Sequence, residues 1–501
     1  MVLAWLVGCD PAVVAVDLGG GGGADGGGAD AGGGADAGGG ADAGGGADAD
    51  GGADADGGAD ADGGADADAD ADGDADGDAD ADGDADADAD GGADADGGVG
   101  DPDAGLGGPA VYATNRLVSP LTPFQIAYLR GVLADGPARD DHRFIKVGAS
   151  ATASTSFLHC FAGPDVDLAG RPFAATIDWF NAGAPNPFTR ESLAAVPGRS
   201  AGWALDGDPS PVEQELTALD PRFAVVMYGT NDLQLRDLEG YANHLLTLAD
   251  TLLAAGVIPI FSSIMPRDDD AEADSRVPHY NLVARGVAQG RQVPFVDLHQ
   301  ALVALPDHGI GPDGIHPTTW REDGRSQACD FTEDGLTAGY NWRNLLTITA
   351  LHGLVESVLQ DAPAPDPPAP LRPETGGPDD PIAMTLPFTD LGTTTPSPHD
   401  ALDTYPGCNA AQDESGPERI YRLVLDRPQV VRAWVFDQGD VDIDLHLLSD
   451  PHDADSCVSR AHRELTAPLE AGTWYFVLDS FVSGGRARAG EYLFVVLGEA
   501  P

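Results

Sequence analysis

The segment RFIKVGAS, residues 143–150, decides how the middle of the chain is interpreted. Its first five residues have the composition of a buried strand, and the three small residues that follow are typical of a turn into a helix. Such a turn lies at the carboxyl edge of a parallel sheet. Ligands of open α/β sheets bind beyond this edge, so Ser150 is a candidate for chemistry.

Short apolar runs alternate with helical stretches from residue 144 to residue 360. Strands buried on both faces and separated by helices predict an α/β fold with a parallel sheet and helices on both sides. The predicted strands are 143–147, 223–228, 257–261 and 293–298, with a further strand within 191–196, and the predicted helices are 241–255, 278–289 and 342–359.

Two other segments carry polar groups to the same edge. GTND, residues 229–232, follows the second strand, and DGIH, residues 313–316, precedes the last helix. A serine hydroxyl becomes nucleophilic when a base takes its proton, and His316 can be that base. Asp313 lies three residues earlier, so one tight turn brings its carboxylate to the imidazole. The Ser150 N–H and the Asn231 amide can stabilise an oxyanion.

The order of these segments resembles the SGNH/GDSL hydrolase family over about residues 140–360. GTND matches the third block of that family and DGIH matches the fourth, whereas Ala149 replaces the aspartate of the first block. The resemblance implies a three-layer, flavodoxin-like fold and an esterase that needs no cofactor. It implies the triad Ser150, Asp313 and His316, and an oxyanion hole formed by Ser150, Gly198 and Asn231, with Gly202 as the alternative glycine.

Each segment also has an ordinary interpretation. Ser150 alone could be a helix N-cap, Asn231 a turn residue, and His316 a surface histidine. Ser154 and Ser156 are rival nucleophiles. Trp179, Phe180 and Trp203 could line a substrate pocket or simply pack in the core. The three segments together, in this order and at strand ends, favour the hydrolase.

The C-terminal part of the chain has a different pattern. Residues 361–381 are predicted to be a Pro-rich linker, and residues 382–501 an all-β sandwich. Predicted strands cover 419–425, 430–436, 441–447, 472–478 and 491–497. These residues resemble the bacterial pre-peptidase C-terminal domain. Along 440–447 acidic and aliphatic residues alternate, which makes Asp440, Asp442 and Asp444 a weak calcium candidate, with a solvated polar edge as the alternative.

The N-terminal part is almost entirely Gly, Ala and Asp from residue 19 to residue 108 and is predicted to be a disordered tether. It contributes strongly to a formal net charge of -57, which argues against nucleic acid or an anionic membrane surface as a partner. Residues 1–18 are interpreted as the remnant of a lipoprotein signal, with Cys9 as the lipidated residue. The other cysteines permit the disulfides Cys160–Cys329 and Cys408–Cys457, which suit an exported protein.

The function expected from the sequence is therefore that of a hydrolase domain, residues 109–360, tethered at the cell surface or secreted. Its substrate would be a small-molecule, glycan or lipid ester, such as an acetylated polysaccharide. The membrane would be reached only through the N-terminal lipid anchor. The alternative function is a catalytically inactive surface lipoprotein that binds glycans or lipids.

Overall fold

The computed structural model describes residues 105–499. The signal remnant, Cys9 and nearly all of the predicted tether lie outside the described residues. Within the described part, no helix is both long enough and apolar enough to cross a membrane.

A four-stranded parallel sheet forms the centre of the predicted hydrolase domain, residues 109–360. Its strands lie side by side in chain order and are β1 (Asp140–Gly148), β2 (Pro221–Met227), β3 (Ile258–Ser262) and β4 (Phe295–Val296). Every residue of β2 and β3 is buried, as their apolar sequences predict. The parallel sheet expected from the sequence is confirmed.

The predicted strand within 191–196 is reduced to a single parallel bridge. Ala195 pairs with Gly148 on the outer side of β1, and the Val196 N–H donates to the Gly148 carbonyl at 3.1 Å. Counted as a second strand, this bridge gives the order 2-1-3-4-5, which is the flavodoxin-like arrangement. The chain therefore leaves the sheet edge just before Gly198.

Helices begin where capping residues satisfy their first N–H groups. Thr122 and Gln125 form a capping box at the first helix, and Ser210 and Glu213 form another at the fourth. The helices are α1 (Pro123–Asp135), α2 (Ser150–Ala153), α3 (Ala174–Asn181), α4 (Pro211–Leu219), α5 (Asp232–Leu235), α6 (Leu238–Ala254), α7 (Ala271–Gly290), α8 (Leu298–Leu302) and α9 (Gly339–Gly353). A π-helical turn, Leu354–Leu359, extends α9.

The C-terminal residues form two facing β-sheets, as the sequence predicts. The strands are β5 (Ile382–Met384), β6 (Phe388–Thr393), β7 (Glu418–Leu425), β8 (Gln429–Asp437), β9 (Ile443–Leu448), β10 (Cys457–Ala461), β11 (Glu464–Leu469), β12 (Gly472–Ser480) and β13 (Glu491–Glu499). One sheet has the order β6-β13-β8-β11 and the other β10-β9-β12-β7-β5. Their inner faces enclose an apolar core.

One expectation for β9 is wrong. Ile443, Leu445 and Leu447 face the core as predicted, but Asp444 and His446 on the opposite face are also buried, at 4% and 0% exposure. This outer face is covered by residues 397–416, which come from a distant part of the sequence. The face is therefore not a solvated edge.

Residues 361–381 lie against the hydrolase domain. Asp366 accepts hydrogen bonds from the Leu121 N–H and from Arg116, and Ala369 forms a bridge with Gly108. These contacts fix the Pro-rich segment to the start of the described chain.

Two disulfides are present. Cys160–Cys329 joins the segment after α2 to the segment after the Asp313–His316 loop, and Cys408–Cys457 joins the covering segment to β10. Both pairings suggested by the cysteine positions are confirmed.

Candidate active site

Ser150 is the first residue of α2, directly after β1. Since the first N–H groups of a helix have no acceptor within the helix, the Ser150 N–H is available to a ligand. Ala149 precedes it in an extended conformation and is itself buried. The strand and the short helix therefore hold the hydroxyl at the carboxyl edge of the sheet.

A tight turn holds Asp313 and His316 together. One carboxylate oxygen of Asp313 accepts the N–H groups of Ile315 and His316 at 3.1 and 3.0 Å. The other oxygen lies 2.7 Å from His316 Nδ1. The Gly311 N–H donates to the His316 carbonyl at 2.7 Å, which closes the loop. The imidazole is thus oriented by its own loop.

The loop brings the imidazole to the serine, with His316 Nε2 lying 2.7 Å from Ser150 Oγ. An ionised carboxylate only accepts hydrogen bonds, so the Asp313 contact assigns the proton of a neutral imidazole to Nδ1. Nε2 is then free to accept the proton of the Ser150 hydroxyl. The three predicted residues form one hydrogen-bonded chain from carboxylate to hydroxyl.

Hydrogen bonding keeps Asp313 ionised. The backbone N–H of His316 is the largest influence that lowers the pKa of this carboxyl, to about 2, and the His316 side chain and the Ile315 N–H act in the same direction. Asp313 therefore carries its negative charge beside Nδ1 throughout the neutral pH range, where it stabilises a protonated imidazole.

The predicted oxyanion donors lie on two loops that are tied together. The Asn231 amide donates to the Arg199 carbonyl at 3.0 Å, and Arg199 directly follows Gly198. The buried Asp232 carboxylate accepts the N–H groups of Ala201 and Gly229 at 2.8 and 3.0 Å. Asn231 is therefore held beside the Gly198 loop. Gly202, the alternative glycine, begins a 3₁₀ turn against the ring of His244.

A buried arginine that the sequence did not single out connects the site loops. Arg267 is 2% exposed, and its guanidinium donates to both oxygens of Asp269 at 2.7 and 2.8 Å. It also donates to the Thr230 carbonyl at 3.1 Å. Asp269 in turn packs against Gly314 of the Asp313–His316 loop. Arg267 occurs in an ordinary charged stretch, so no sequence pattern distinguished it.

A small cavity opens beside Ser150 and His316. Its wall is largely apolar and includes Ala149, Met227, Tyr228, Met265 and Ile315. An aspartate at position 149 would place a carboxylate in this wall, so the alanine makes the cavity less polar.

The rival serines and the aromatic candidates lie elsewhere. Ser154 Oγ accepts the Ser156 N–H at 3.2 Å, and Ser156 Oγ accepts the Thr319 hydroxyl at 2.9 Å. Phe180 is fully buried in the core, and the Trp179 indole donates to the Asp141 carbonyl. Trp203 lies under the Arg199 guanidinium, next to the Asn231 contact. None of these five residues lines the described cavity beside Ser150.

Residues 161–320 match the GDSL-like lipase/acylhydrolase family. The match includes Asn231, Asp313 and His316 and begins after Ser150. An acetylxylan esterase from Geobacillus stearothermophilus has a similar structure with 16% sequence identity and a TM-score of 0.28, over 43% of this chain and 95% of that one. A GDSL-like lipase from Bacteroides thetaiotaomicron has 16% identity and a TM-score of 0.28, over 46% of this chain and 98% of that one.

No curated protein matches the chain. The family match supports an enzyme that hydrolyses esters.

Proposed function

We propose that the chain is a serine esterase in which Ser150 is the nucleophile, His316 the general base and Asp313 the residue that orients the base. The observation that carries this proposal is the hydrogen-bonded chain from Asp313 through His316 to Ser150, with 2.7 Å at each side-chain contact. These are the distances at which a base can take the hydroxyl proton.

The proposed reaction has two steps. Ser150 Oγ attacks the ester carbonyl while its proton moves to His316 Nε2, and the imidazolium then protonates the leaving alcohol. Water attacks the resulting acyl-enzyme, with His316 again as the base, and the carboxylic acid leaves. The N–H groups of Ser150 and Gly198 and the Asn231 amide stabilise the oxyanion in both steps. The mechanism requires no metal or organic cofactor.

The proposed substrate is an ester with a short acyl group, such as an acetylated glycan or a small acetyl ester. The support comes from the cavity beside Ser150, which is small and largely apolar. It suits an acetyl group, whereas a long acyl chain would extend beyond it. The alcohol part of the ester would lie on the open side of the cavity.

The proposed location is outside the cytoplasm, with Cys9 as a lipid anchor and residues 19–108 as the tether. The support comes from the two disulfides, which form and persist in oxidising compartments. The all-β region fits the resemblance to the pre-peptidase C-terminal domain, which remains part of the proposal. The strongly negative charge argues against nucleic acid as a partner.

Fluorophosphonate labelling with peptide mapping tests the proposed nucleophile and base. The label should attach to Ser150, and Ser150→Ala should abolish labelling and ester hydrolysis. His316→Ala should lower both by several orders of magnitude, because the hydroxyl loses its base. Ser154→Ala is the matched control and should behave as the wild type does. An acetyl ester should be hydrolysed faster than the octanoyl ester of the same alcohol.

Two results would reject the proposal. Labelling that persists in Ser150→Ala would identify another nucleophile. A folded wild-type protein that never labels and hydrolyses no ester, yet binds polysaccharide, would support the alternative of an inactive binding protein.

A further inference from the structure

One short segment lies between the two loops that carry the proposed oxyanion donor and the proposed base. Residues 263–269 follow β3 and lead into α7. Ile264 packs against Gly229, since a Cβ on that glycine would lie 3.0 Å from the Ile264 Cγ2. Asp269 packs against Gly314, where a Cβ would lie 2.5 Å from the Asp269 nitrogen. The segment therefore contacts both the GTND loop and the DGIH loop.

The helix α7 holds this segment in place. The Asn281 side chain accepts the Ile264 N–H at 2.7 Å and donates to the Ile264 carbonyl at 3.1 Å. Asp274 accepts the Arg267 N–H at 2.9 Å. Both partners lie on a helix of 20 residues, so the segment is fixed near its beginning and near its middle. It can therefore act as a common support for the two loops.

Arg267 contacts one loop directly and the other through Asp269. Its guanidinium donates at 3.1 Å to the Thr230 carbonyl, which belongs to the peptide that joins Thr230 to Asn231. The same guanidinium donates to both carboxylate oxygens of Asp269, the residue that packs against Gly314. A guanidinium can make these bonds together, because its N–H groups point in fixed directions within one plane.

The charges around the DGIH loop also depend on Arg267. The carboxylate of Asp269 lies near enough to that of Asp313 for the two negative charges to repel each other. Hydrogen bonding to Arg267 is the largest influence on Asp269 and lowers the pKa of its carboxyl. Arg267 is 2% exposed, so water screens its positive charge only weakly. Without this arginine, an unpaired carboxylate would lie beside the loop that carries the base.

We propose that Arg267 is a positioning residue that fixes the oxyanion donor Asn231 relative to the base His316. This inference rests on the proposed function, in which both side chains act on the same transition state. Such groups must be held to within about 0.5 Å, and here they come from loops after different strands. Arg267 does not line the cavity beside Ser150, so it acts through the two loops.

Steady-state hydrolysis of an acetyl ester by the full chain tests this role. Arg267→Met removes the guanidinium and keeps a long side chain, and kcat should fall roughly a hundredfold, since a misplacement of about 1 Å can cost that much. KM should change less than about threefold, because substrate binding does not depend on the two groups being aligned. Arg267→Lys keeps the charge but not the fork, so its kcat should lie between those of the wild type and Arg267→Met.

Arg222→Met is the matched control. Arg222 is 8% exposed and donates to the Asp141 carboxylate and, at 3.1 Å, to the Arg139 carbonyl. It lies at the beginning of β2, at the edge of the sheet opposite Ser150. Both methionine variants should lower the melting temperature, because each removes the hydrogen bonds of a buried guanidinium. Only Arg267→Met should lower kcat, whereas Arg222→Met should stay within about twofold of the wild type.

Asp269→Asn tests the same connection where Arg267→Met fails to fold. The Asp269 side chain is 27% exposed, so the amide places no new group in the core. An amide offers one acceptor oxygen where Arg267 now bonds to two, so the connection to Gly314 is weakened rather than lost. The kcat of this variant should fall roughly tenfold, with KM nearly unchanged.

Three outcomes would overturn the role of Arg267. They are a wild-type kcat in folded Arg267→Met or in Asp269→Asn, an equal loss of kcat in Arg222→Met, and a rise in KM that accounts for the whole loss of kcat/KM. If Ser150→Ala abolishes hydrolysis in the same assay, any of these outcomes rejects this inference alone and leaves the proposed function standing. Hydrolysis that persists in Ser150→Ala would reject the proposed function, and this inference with it.

Discussion

Lys146 places an ammonium group in the core of the hydrolase domain, on the strand that ends just before Ser150. It is the only lysine in the sequence and is 3% exposed. Its Nζ donates to the Phe188 carbonyl at 3.2 Å and lies 3.2 Å from His159 Nε2. Burial lowers the pKa of Lys146 to about 8, against a weaker opposing effect of Glu215. The charged form is thus disfavoured in the folded protein.

This shift predicts how stability depends on pH. Between pH 8 and pH 10.5 the unfolded chain holds the Lys146 proton and the folded chain releases it, so the free energy of unfolding rises with pH. The gain is about 3 kcal/mol when the whole window is crossed. Urea unfolding of the wild type and of Lys146→Met should show this rise in the wild type alone. Parallel pH dependences in the two proteins would contradict the assignment.

Single site residues could be predicted from the sequence where the proposed reaction requires a particular type of side chain. A nucleophile, a base and a carboxylate in a fixed order can be read from GAS, GTND and DGIH, and the structure brings Ser150, Asp313 and His316 into contact. Arg267 was missed. It acts through its hydrogen bonds to Asp269 and to the Thr230 carbonyl, and it lies in no recognisable sequence pattern.

The loop that carries Asp313 and His316 depends on Gly314. This residue has a φ of +72°, and a Cβ on it would lie 2.5 Å from the Asp269 nitrogen. Gly314→Ala should therefore displace the loop and lower kcat roughly tenfold to a hundredfold, since small misplacements of a catalytic group are costly. Steady-state hydrolysis of an acetyl ester measures this change.

Gly324→Ala separates displacement from backbone strain. Gly324 has a φ of +78°, and a Cβ there would meet nothing within 4 Å. The strain is similar in both variants, but only Gly314→Ala pushes on the loop. Equal kcat values for the two variants would show that contact with Asp269 does not hold the catalytic loop.

Element boundaries were predicted less well than element types. The spacing of apolar residues predicted a helix that begins at Pro278. The helix α7 begins at Ala271 because Asp270 accepts the N–H groups of Glu272 and Ala273. The predicted edge strand near Ala195 is only a single bridge to Gly148. The outer face of β9 could not be predicted, since the segment that covers it is remote in sequence.

The hydrolase domain and the sandwich pack directly on each other through α7. Gly286 and Gly290 lie against Thr389, Leu391 and Leu493 of the sandwich. The Gln289 amide donates to the Thr389 carbonyl at 2.8 Å. Small residues on this face of the helix allow the sheet to approach closely. The sequence separated the two regions by composition but gave no signal for this interface.

Gly290→Ala tests the importance of this packing. A Cβ at Gly290 would lie 2.3 Å from the Leu391 Cβ, so the variant should lose roughly 1–3 kcal/mol of stability. Gly131→Ala in α1 is the matched control, because a Cβ there meets nothing within 4 Å. It should be unchanged or more stable by up to about 1 kcal/mol. Urea unfolding midpoints measure the stability of the two variants. Equal midpoints for Gly290→Ala and Gly131→Ala would argue against close packing at Gly290.

The Cys160–Cys329 disulfide affects how the site forms again after partial unfolding. Cys160 follows Ser150 by ten residues, and Cys329 follows His316 by thirteen. In a chain partly unfolded by heat or denaturant, the disulfide shortens the length of chain that separates Ser150 from His316. The two residues therefore meet more readily. Rebuilding the contact between the Ser150 hydroxyl and the His316 imidazole thus becomes a local event.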